Sequence, residues 1–386
     1  MVYSAAKDHG QGMLDDITQA VLARDEVARY LRGGHGQSTL QARERISAYL
    51  DELRTTQRYP FYRALKHPLY PILRKIDRRV EHIDIVRAAT RAGRVIYASN
   101  HKSHTDYLVE PLVLDDNGIR PPLIAAGINL FGGPLGLLHR HVTGAIPIRR
   151  NTKDPAYLVT LKAYVAEQLK QHDLLFYIEG GRSYSGELKS PKTGLIHAAM
   201  QAEQEGLVII PTSVAYDLVL EDRILARQGI KRRQRLFGRE LAEMVRYAVG
   251  YRSRAFVTFG APILMSEYDP QSRHDVMRLA HRTRTAIGKL YKVLPTALVA
   301  AAMRPSITRR ELEARVNTLL DSLRAVNANL AVDDGRRAVD EAVGPLEGRG
   351  IVTLERGRFR VRHRIVLRYY ARTITHLLNP MSGRAT

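Results

Sequence analysis

Hydrophobic residues follow two different spacings along the chain, and the change between them divides the sequence. In the first ninety residues apolar positions recur every three or four residues, as at Ile46, Leu50 and Leu53, which predicts amphipathic helices. From Arg94 onward, short apolar runs alternate with stretches of helical spacing. Such alternation is typical of buried strands connected by helices. The predicted strands lie at 95–98, 143–148, 174–178, 207–216 and 255–259.

Local signals mark several element boundaries. Asp154 followed by Pro155 predicts the start of a helix, and Thr308 with Glu311 predicts a capping box. Strand-like residues around a turn at 356–357 predict a hairpin over 350–363, followed by a final helix. We therefore predict three parts: an N-terminal helical region (1–90), an α/β domain whose mixed sheet is flanked by helices (91–300), and a small C-terminal region of helices and a hairpin (301–386).

The composition narrows the classes of function. Sixty Lys and Arg residues against 39 Asp and Glu residues give a formal charge of +21, which favours an anionic partner: nucleic acid, an acidic membrane surface or an anionic substrate. Charge alone does not choose among these three. The absence of cysteine excludes disulfides, thiolate nucleophiles and Cys-ligated metals.

Two apolar segments are candidates for membrane contact, and we expect neither to span a bilayer. Glycines and a proline interrupt residues 122–138, while residues 293–303 are too few to cross about 30 Å of hydrocarbon. Residues 1–14 lack the apolar core of a signal peptide, so we expect a cytoplasmic protein. Residues 222–254 carry ten Lys or Arg against three acids, which indicates either a solvated helical face or a patch for anionic lipid headgroups; we favour the patch.

A cluster of polar residues directly follows the strand at 95–98. His101 is placed to act as a general base, and the Asp106 carboxylate could accept a hydrogen bond from its second ring nitrogen. A plainer interpretation is that Ser103 and Asp106 form a capping box for the next helix. His104 is an alternative base. No partner at metal-ligand spacing accompanies these histidines, so we expect no metal site.

Two other segments offer groups that suit an anion. The run at 143–148 ends in Arg149 and Arg150, and the strand at 174–178 leads into residues 179–183, Glu-Gly-Gly-Arg-Ser. Glycine backbone and guanidinium groups can approach a phosphate monoester closely. The same Gly-Gly-Arg sequence also suits an ordinary turn, so neither segment identifies a site by itself.

Taken together, the order and spacing of these segments resemble the glycerol-phosphate acyltransferases of the bacterial and mitochondrial membrane type, with the related dihydroxyacetone-phosphate acyltransferases. The four blocks of that family are matched by residues 101–106, 144–150, 179–183 and 209–216. Shorter segments are also similar to the family, namely 191–194, 259–263 and the tail at 368–376.

The resemblance implies transfer of a fatty acyl group from acyl-CoA or acyl-carrier protein to the 1-hydroxyl of glycerol 3-phosphate, at the cytoplasmic face of the cell membrane. The acyl thioester would be a co-substrate, and no bound cofactor is implied. His101 would be the base and Asp106 its partner. The residues that the resemblance assigns to substrate binding are Lys102, Arg149, Arg150, Glu179, Gly180, Gly181, Arg182, Ser183, Lys192 and Pro211.

The chain departs from the family pattern at Tyr184, where the family usually has an arginine. This leaves dihydroxyacetone phosphate and a lysophospholipid as alternative acceptors, although Glu-Gly-Gly in the third block favours glycerol phosphate. The chain is also shorter than the long members of the family. A different class, a winged-helix-like nucleic-acid binder, is suggested by the arginines of the C-terminal hairpin, but it does not explain the order of the four blocks.

Overall fold

A computed structural model gives the fold of residues 16–33, 38–64, 76–131, 136, 140–202, 205–231 and 253–379. Three predictions fall wholly or partly outside these ranges: all of residues 1–14, considered for a signal peptide, most of the basic patch at 222–254, and part of the apolar segment 122–138. Within them, no helix is both long enough and apolar enough to cross a membrane.

The centre of the fold is a mixed sheet with the strand order β1-β7-β6-β2-β5-β3-β4, in which β8 also pairs with β6. Strands β6, β2, β5, β3 and β4 are parallel to one another, whereas β7 and β8 are antiparallel to β6. The strands are β1 Ile76–Glu81, β2 Val95–Ser99, β3 Leu123–Gly127, β4 Ala145–Ile148, β5 Leu174–Tyr177, β6 Val208–Tyr216, β7 Ser253–Phe259 and β8 Ile263–Leu264.

The structure confirms the predicted α/β class and all five predicted strands. Three further strands of this sheet, β1, β3 and the two-residue β8, were not predicted. The sequence of β1 has two arginines in its middle, because it is an edge strand with half-exposed side chains. The sheet therefore begins at Ile76, inside the region predicted to be only helical. Strand β3 lies within the apolar segment that we considered for membrane contact.

Helices cover both faces of the sheet and form two cores. Alternate residues of β2 face opposite sides: Val95 and Tyr97 pack in one core, and Ile96 and Ala98 in the other. This is why the strands read as continuous apolar runs. The helices before the C-terminal region are α1 Asp25–Arg32, α2 Thr39–Leu53, α3 Ile83–Ala92, α4 Asp106–Asp116, α5 Pro155–Leu169, α6 Gly194–Met200, α7 Asp222–Lys231 and α8 Arg273–Leu290.

The C-terminal region packs around one buried helix, α9. All but one of its eight residues are buried, which explains the apolar segment at 293–303 without a membrane. The predicted hairpin is confirmed, with Arg356 and Gly357 both at positive φ, as a type I′ turn requires. Its elements are α9 Pro295–Ala302, β9 Ser306–Thr308, α10 Arg309–Ala325, α11 Gly335–Gly348, β10 Val352–Glu355, β11 Arg358–Val361, α12 Arg364–Arg372 and α13 Thr375–Leu378.

Candidate active site

The carboxyl ends of the parallel strands bring the predicted segments to one edge of the sheet. His101 follows β2, Glu179 follows β5, and Arg150 follows β4. In the sheet β5 lies beside β2, and β3 separates β5 from β4. The residues after β2, β5 and β4 therefore lie along one edge although they are far apart in sequence. Ligand sites of open α/β sheets lie at this edge.

His101 and Asp106 form a hydrogen-bonded pair. The His101 Nδ1 atom donates to Asp106 Oδ2 over 2.8 Å. The same oxygen accepts the backbone N–H groups of Lys102 (2.7 Å) and Ser103 (3.0 Å), and Asp106 Oδ1 accepts the Tyr216 hydroxyl (2.6 Å). A carboxylate only accepts hydrogen bonds, so Nδ1 carries the imidazole proton and Nε2 is left with its lone pair.

The alternative interpretation, a capping box, is only half formed. Helix α4 begins at Asp106, but its N-cap residue Thr105 makes no side-chain capping bond. In a capping box Ser103 would be the N-cap residue, and each of the two side chains would accept the other residue's backbone N–H. Asp106 does accept the Ser103 N–H, but the Ser103 hydroxyl is bonded to Glu221. The carboxylate therefore serves both the helix start and the histidine.

The His101 ring is held between its partner and an aromatic face. The Tyr177 ring stacks on it with centroids 3.9 Å apart and planes 10° from parallel. Burial, together with the positive charge of Arg182, lowers the pKa of His101 well below its usual range. Burial also raises the pKa of Asp106 to about 6. The imidazole is therefore neutral near pH 7, which is the form that accepts a proton.

The second segment is bonded directly to the first. One carboxylate oxygen of Glu179 accepts the His101 backbone N–H over 3.0 Å, and the other accepts the Lys189 N–H over 3.0 Å. The Ser183 N–H in turn donates to the His101 carbonyl over 2.8 Å. Glu179 and Ser183 therefore hold the two segments together, and their polar groups are used within the protein.

A pocket opens beside the exposed edge of His101. Arg150, Gly180 and Gly181 line this pocket. The Arg150 guanidinium lies close to Gly127, and a Cβ atom added to Gly127 would lie 2.8 Å from it. Gly180 has a φ of +67°, which favours glycine. The remaining wall is aromatic or apolar, apart from His104, and consists of Tyr107, Ala125, Ala126, Leu130, Ile148, Tyr177 and Leu195.

Arg182 lies beside this pocket but is largely buried. Its guanidinium is 3.7 Å from the Glu221 carboxylate and 5.7 Å from the centre of the Tyr184 ring. Glu221 also accepts the His104 N–H over 2.6 Å and the Ser103 hydroxyl. One buried carboxylate thus links Arg182 to the segment that carries the base.

Of the ten predicted substrate ligands, only Arg150, Gly180 and Gly181 line the pocket; besides Glu179, Arg182 and Ser183, described above, four others lie elsewhere. The Lys102 ammonium points to the opposite side of its loop. Arg149 pairs with Glu52 and does not line this pocket, although it lines an adjoining cavity together with Arg150. Lys192 is exposed at the rim near Gly180. Pro211 lies within β6, opposite Ala98 of β2, so it can act only on the sheet.

Several residues at the site were missed in the sequence. Tyr177 and Tyr216 are the last residues of β5 and β6, and both lie at or next to the end of a predicted strand, so their place at the sheet edge could have been inferred. Glu221 and Lys189 lie in connections without a recognisable spacing; the Lys189 ammonium donates to the Gly181 and Arg182 carbonyls over 2.7 and 2.8 Å.

Glu110 was also missed, although it lies one helical turn beyond Asp106. It is buried beside the Ser99 and Tyr177 hydroxyls, and burial raises its pKa well above its ordinary value. Burial therefore favours the protonated, neutral form of this carboxyl group. Among the described residues, no three His, Asp or Glu side chains are grouped so as to hold a metal ion.

Comparisons with known proteins agree with the resemblance of the four segments. Residues 74–215 match the Acyltransferase family, and residues 240–382 match the glycerol-3-phosphate acyltransferase C-terminal region. A solved 1-acyl-sn-glycerophosphate acyltransferase from Thermotoga maritima is 16% identical, with a TM-score of 0.35, over 55% of this chain and 72% of that one. That likeness is too small to support a conclusion about this chain.

Three curated relatives carry the name glycerol-3-phosphate acyltransferase. The protein of Aeromonas hydrophila is 30% identical over 89% of this chain and 47% of its own length. Those of Pseudomonas syringae and Actinobacillus succinogenes are each 29% identical, over 86% and 95% of this chain and 44% and 50% of their own lengths. The chain thus spans about half the length of the relatives it matches. With both family regions present in order, the chain belongs to the glycerol-3-phosphate acyltransferase family.

Proposed function

We propose that the chain transfers a fatty acyl group from acyl-CoA or acyl-carrier protein to the 1-hydroxyl of glycerol 3-phosphate, giving 1-acylglycerol 3-phosphate. The observation that carries this proposal is the neutral His101, bonded to Asp106 at 2.8 Å, beside a pocket that also holds Arg150. A base and a phosphate-binding group in one pocket suit an alcohol that carries a phosphate. The names of the relatives support the same acceptor.

In the proposed reaction, His101 Nε2 takes the proton of the acceptor hydroxyl while the hydroxyl oxygen attacks the thioester carbonyl. The resulting tetrahedral intermediate collapses, the C–S bond breaks, and the imidazolium returns the proton to the departing thiolate. Asp106 stabilises the imidazolium between these two steps. No nucleophile from the protein is needed, which agrees with a chain that has no cysteine.

The pocket has two kinds of wall for the two parts of the reaction. The Arg150 guanidinium and the backbone at Gly180 and Gly181 form a polar side suited to the acceptor phosphate. The rest of the lining includes Ala126, Leu130 and other apolar residues, which suit the first carbons of an acyl chain.

An acyl-transfer assay with purified protein tests the proposal. Acyl-CoA and acyl-carrier protein would each be offered with glycerol 3-phosphate, dihydroxyacetone phosphate or a lysophospholipid, and the acylated position determined. We expect glycerol 3-phosphate to be preferred, and His101→Ala to lower kcat by roughly 10²- to 10⁴-fold. His274→Ala, at an exposed histidine of α8, is the matched control and should leave kcat unchanged.

Two results would contradict this proposal. Full activity of the His101→Ala protein would exclude the base. Preference for dihydroxyacetone phosphate or a lysophospholipid would keep the chemistry but change the acceptor, as the Tyr184 departure allows.

We further propose that the protein works on an anionic membrane surface as a peripheral protein, at the cytoplasmic face. Leu354 of the hairpin and Ile365 of α12 are 55% and 39% exposed. Exposed arginines accompany them at 356, 364 and 368. Helix α7, where the predicted basic patch begins, packs against α12. Apolar side chains among cations suit an acidic lipid surface.

A further inference from the structure

Lys102 resembles a phosphate ligand in the sequence, but its ammonium group faces away from the pocket. Its side chain is 2% exposed. Nζ donates to the Gly186 carbonyl over 2.6 Å and lies 5.3 Å from the centre of the Tyr291 ring. A phosphate would have to enter the protein core to reach it, so a role other than substrate binding is required.

The far side of Lys102 is covered by the C-terminal region. The Tyr369 hydroxyl of α12 lies 3.4 Å from the Lys102 carbonyl. Gly186, which accepts the ammonium, has a φ of +88°, and a Cβ atom on it would lie 2.0 Å from the Tyr369 carbonyl oxygen. One residue further on, Glu187 is 3.7 Å from Arg372. The turn at 184–187 is therefore packed between Lys102 and α12.

The charge of Lys102 also has buried partners on the catalytic side. Burial lowers the pKa of Lys102, and its attraction to Glu179 and Asp106 opposes that shift. In return, the positive charge of Lys102 opposes the rise in pKa that burial causes at both carboxyl groups. Lys189 repels Lys102, whereas Glu187 attracts it. On the C-terminal side, burial is the main cause that lowers the pKa of His376 to about 4, and Lys102 adds to that effect, so His376 is neutral near pH 7.

We propose that Lys102 is a positioning residue: its buried ammonium fixes the loop that carries His101 to the turn at 184–187 and to the C-terminal helices, and it balances the charge of Asp106. The inference rests on the proposed function, in which His101 is the base. It makes the C-terminal region part of the catalytic machinery, although no residue of that region lines the pocket within the described residues.

Kinetics of Lys102→Met and Lys102→Arg test this role. We expect Lys102→Met to lower kcat by roughly 10²-fold, since small displacements of a base have effects of that size, with the KM for glycerol 3-phosphate within about threefold. The acidic limb of the pH profile of kcat/KM should move to higher pH, because loss of the Lys102 charge removes an interaction that lowers the pKa of Asp106. Lys102→Arg keeps the charge and should recover at least a tenth of the wild-type kcat, ~10-fold above the Met variant.

A matched control separates positioning from general loss of stability. Lys292→Met removes another largely buried lysine, one whose ammonium pairs with Glu81 over 2.6 Å at the β1 edge of the sheet. It should lower the melting temperature but leave the pH profile and both kinetic constants of the folded protein unchanged. If Lys102→Met does not fold, Tyr291→Leu removes the ring beneath the ammonium and should show the same pattern with a smaller loss of kcat.

Hydrogen exchange gives a readout that does not depend on activity. In Lys102→Met, or in Tyr291→Leu if that protein is used, amides of residues 100–107 and 183–187 should exchange faster than in wild type, while those of α10 should not change. A large rise in the KM for glycerol 3-phosphate at unchanged kcat would overturn the inference, as would unchanged kinetics and exchange. If the wild type acylates no acceptor, the proposed function fails, and the exchange result alone decides the role of Lys102.

Discussion

At the scale of single residues, the carboxylate of Asp106 is surrounded by donors. Four groups donate to its two oxygens: the His101 ring, the Lys102 and Ser103 amides and the Tyr216 hydroxyl. A carboxylate has about four acceptor positions, so its capacity is used. An asparagine at position 106 would have to turn its NH₂ group, itself a donor, toward one of these donors, and at least one hydrogen bond would be lost. The orientation of His101 is therefore fixed by the backbone of its own loop.

The two adjacent arginines after β4 should differ sharply in their effect on acceptor binding. Arg150→Met should raise the KM for glycerol 3-phosphate about 10- to 100-fold, since a hydrogen bond to a charged group contributes about 1.5–3 kcal/mol. Arg149→Met is the matched control, because the Arg149 guanidinium is engaged by Glu52 and does not line the pocket of His101, and it should change the KM less than about twofold. Equal effects of the two substitutions would contradict the assignment of the phosphate to Arg150.

The pH dependence of kcat/KM should report the coupled His101–Asp106 pair. Because Asp106 has a pKa of about 6, we expect kcat/KM to fall about tenfold per unit below that pH. The hydrogen bond from Tyr216 lowers this pKa, so its removal in Tyr216→Phe should move the limb to higher pH.

Tyr97→Phe is the control for that measurement. It removes a buried hydroxyl that has no hydrogen-bond partner among the described residues. Its pH profile should match the wild type. A limb that stays in place in Tyr216→Phe, or that moves equally in both variants, would show that the bond to Asp106 does not set the profile.

Residue types and spacing predicted His101, Asp106 and Arg150 but could not assign the direction of every side chain. Arg149 and Arg150 are equivalent in the sequence, yet only Arg150 lines the pocket that His101 lines. Lys102 adjoins the base in sequence and is buried on the other side of the loop. Glu221 reaches the site only because β6 pairs with β2, and no local pattern encodes that pairing.

At the scale of elements, a buried ionic cluster joins α12 to the α/β domain. The Arg349 guanidinium contacts Asp222 over 2.9 Å at the start of α7, and the Tyr370 hydroxyl donates to the same carboxylate over 2.8 Å. Tyr370 also accepts the Val219 N–H. All of these polar groups lie in the interior, where an unpaired charge is costly.

Loss of one member of this cluster should therefore destabilise the whole protein. Arg349→Met should reduce the free energy of unfolding by about 3–5 kcal/mol, because it leaves Asp222 buried without its cation. Arg324→Met removes an arginine from an exposed pair with Asp321 and should cost less than about 1 kcal/mol. Denaturant unfolding of both variants measures the difference. Similar losses would mean that the cluster does not hold the elements together.

Apolar runs predicted the central strands well because those strands are buried on both faces. The same logic failed for β1, whose edge position permits charged residues. Helix α9 looked like a membrane segment because every side of it is covered by other helices of the C-terminal region. Burial on all sides and contact with lipid leave similar patterns in a sequence.

At the scale of the whole molecule, the excess of positive charge should act through the hairpin face. Replacing three of the exposed arginines of this face, at 356, 364 and 368, with serine should weaken binding to acidic liposomes on the order of 100-fold, since each cation near such a surface contributes about 1 kcal/mol. Flotation at low salt measures this binding, and added salt should reduce it in the wild type.

The control for this measurement has the same loss of charge elsewhere on the surface. Serine would replace three other exposed arginines, at positions 43, 91 and 336. Flotation of this variant should remain close to wild type. Equal loss in both triple variants would point to net charge rather than to the hairpin face, and salt-sensitive DNA binding without flotation would favour a nucleic-acid partner instead.

Two sets of buried contacts connect the C-terminal region to the rest of the protein. The Lys102–Gly186–Tyr369 contacts join residues 74–215 to residues 240–382, and the Arg349–Asp222–Tyr370 cluster joins residues 240–382 to helix α7, which lies between the two in sequence. Side chains that evolve in contact change together, so halves taken from different relatives would meet with mismatched partners. A chimera of two family members should therefore be active only if residues 74–215 and 240–382 descend from the same parent.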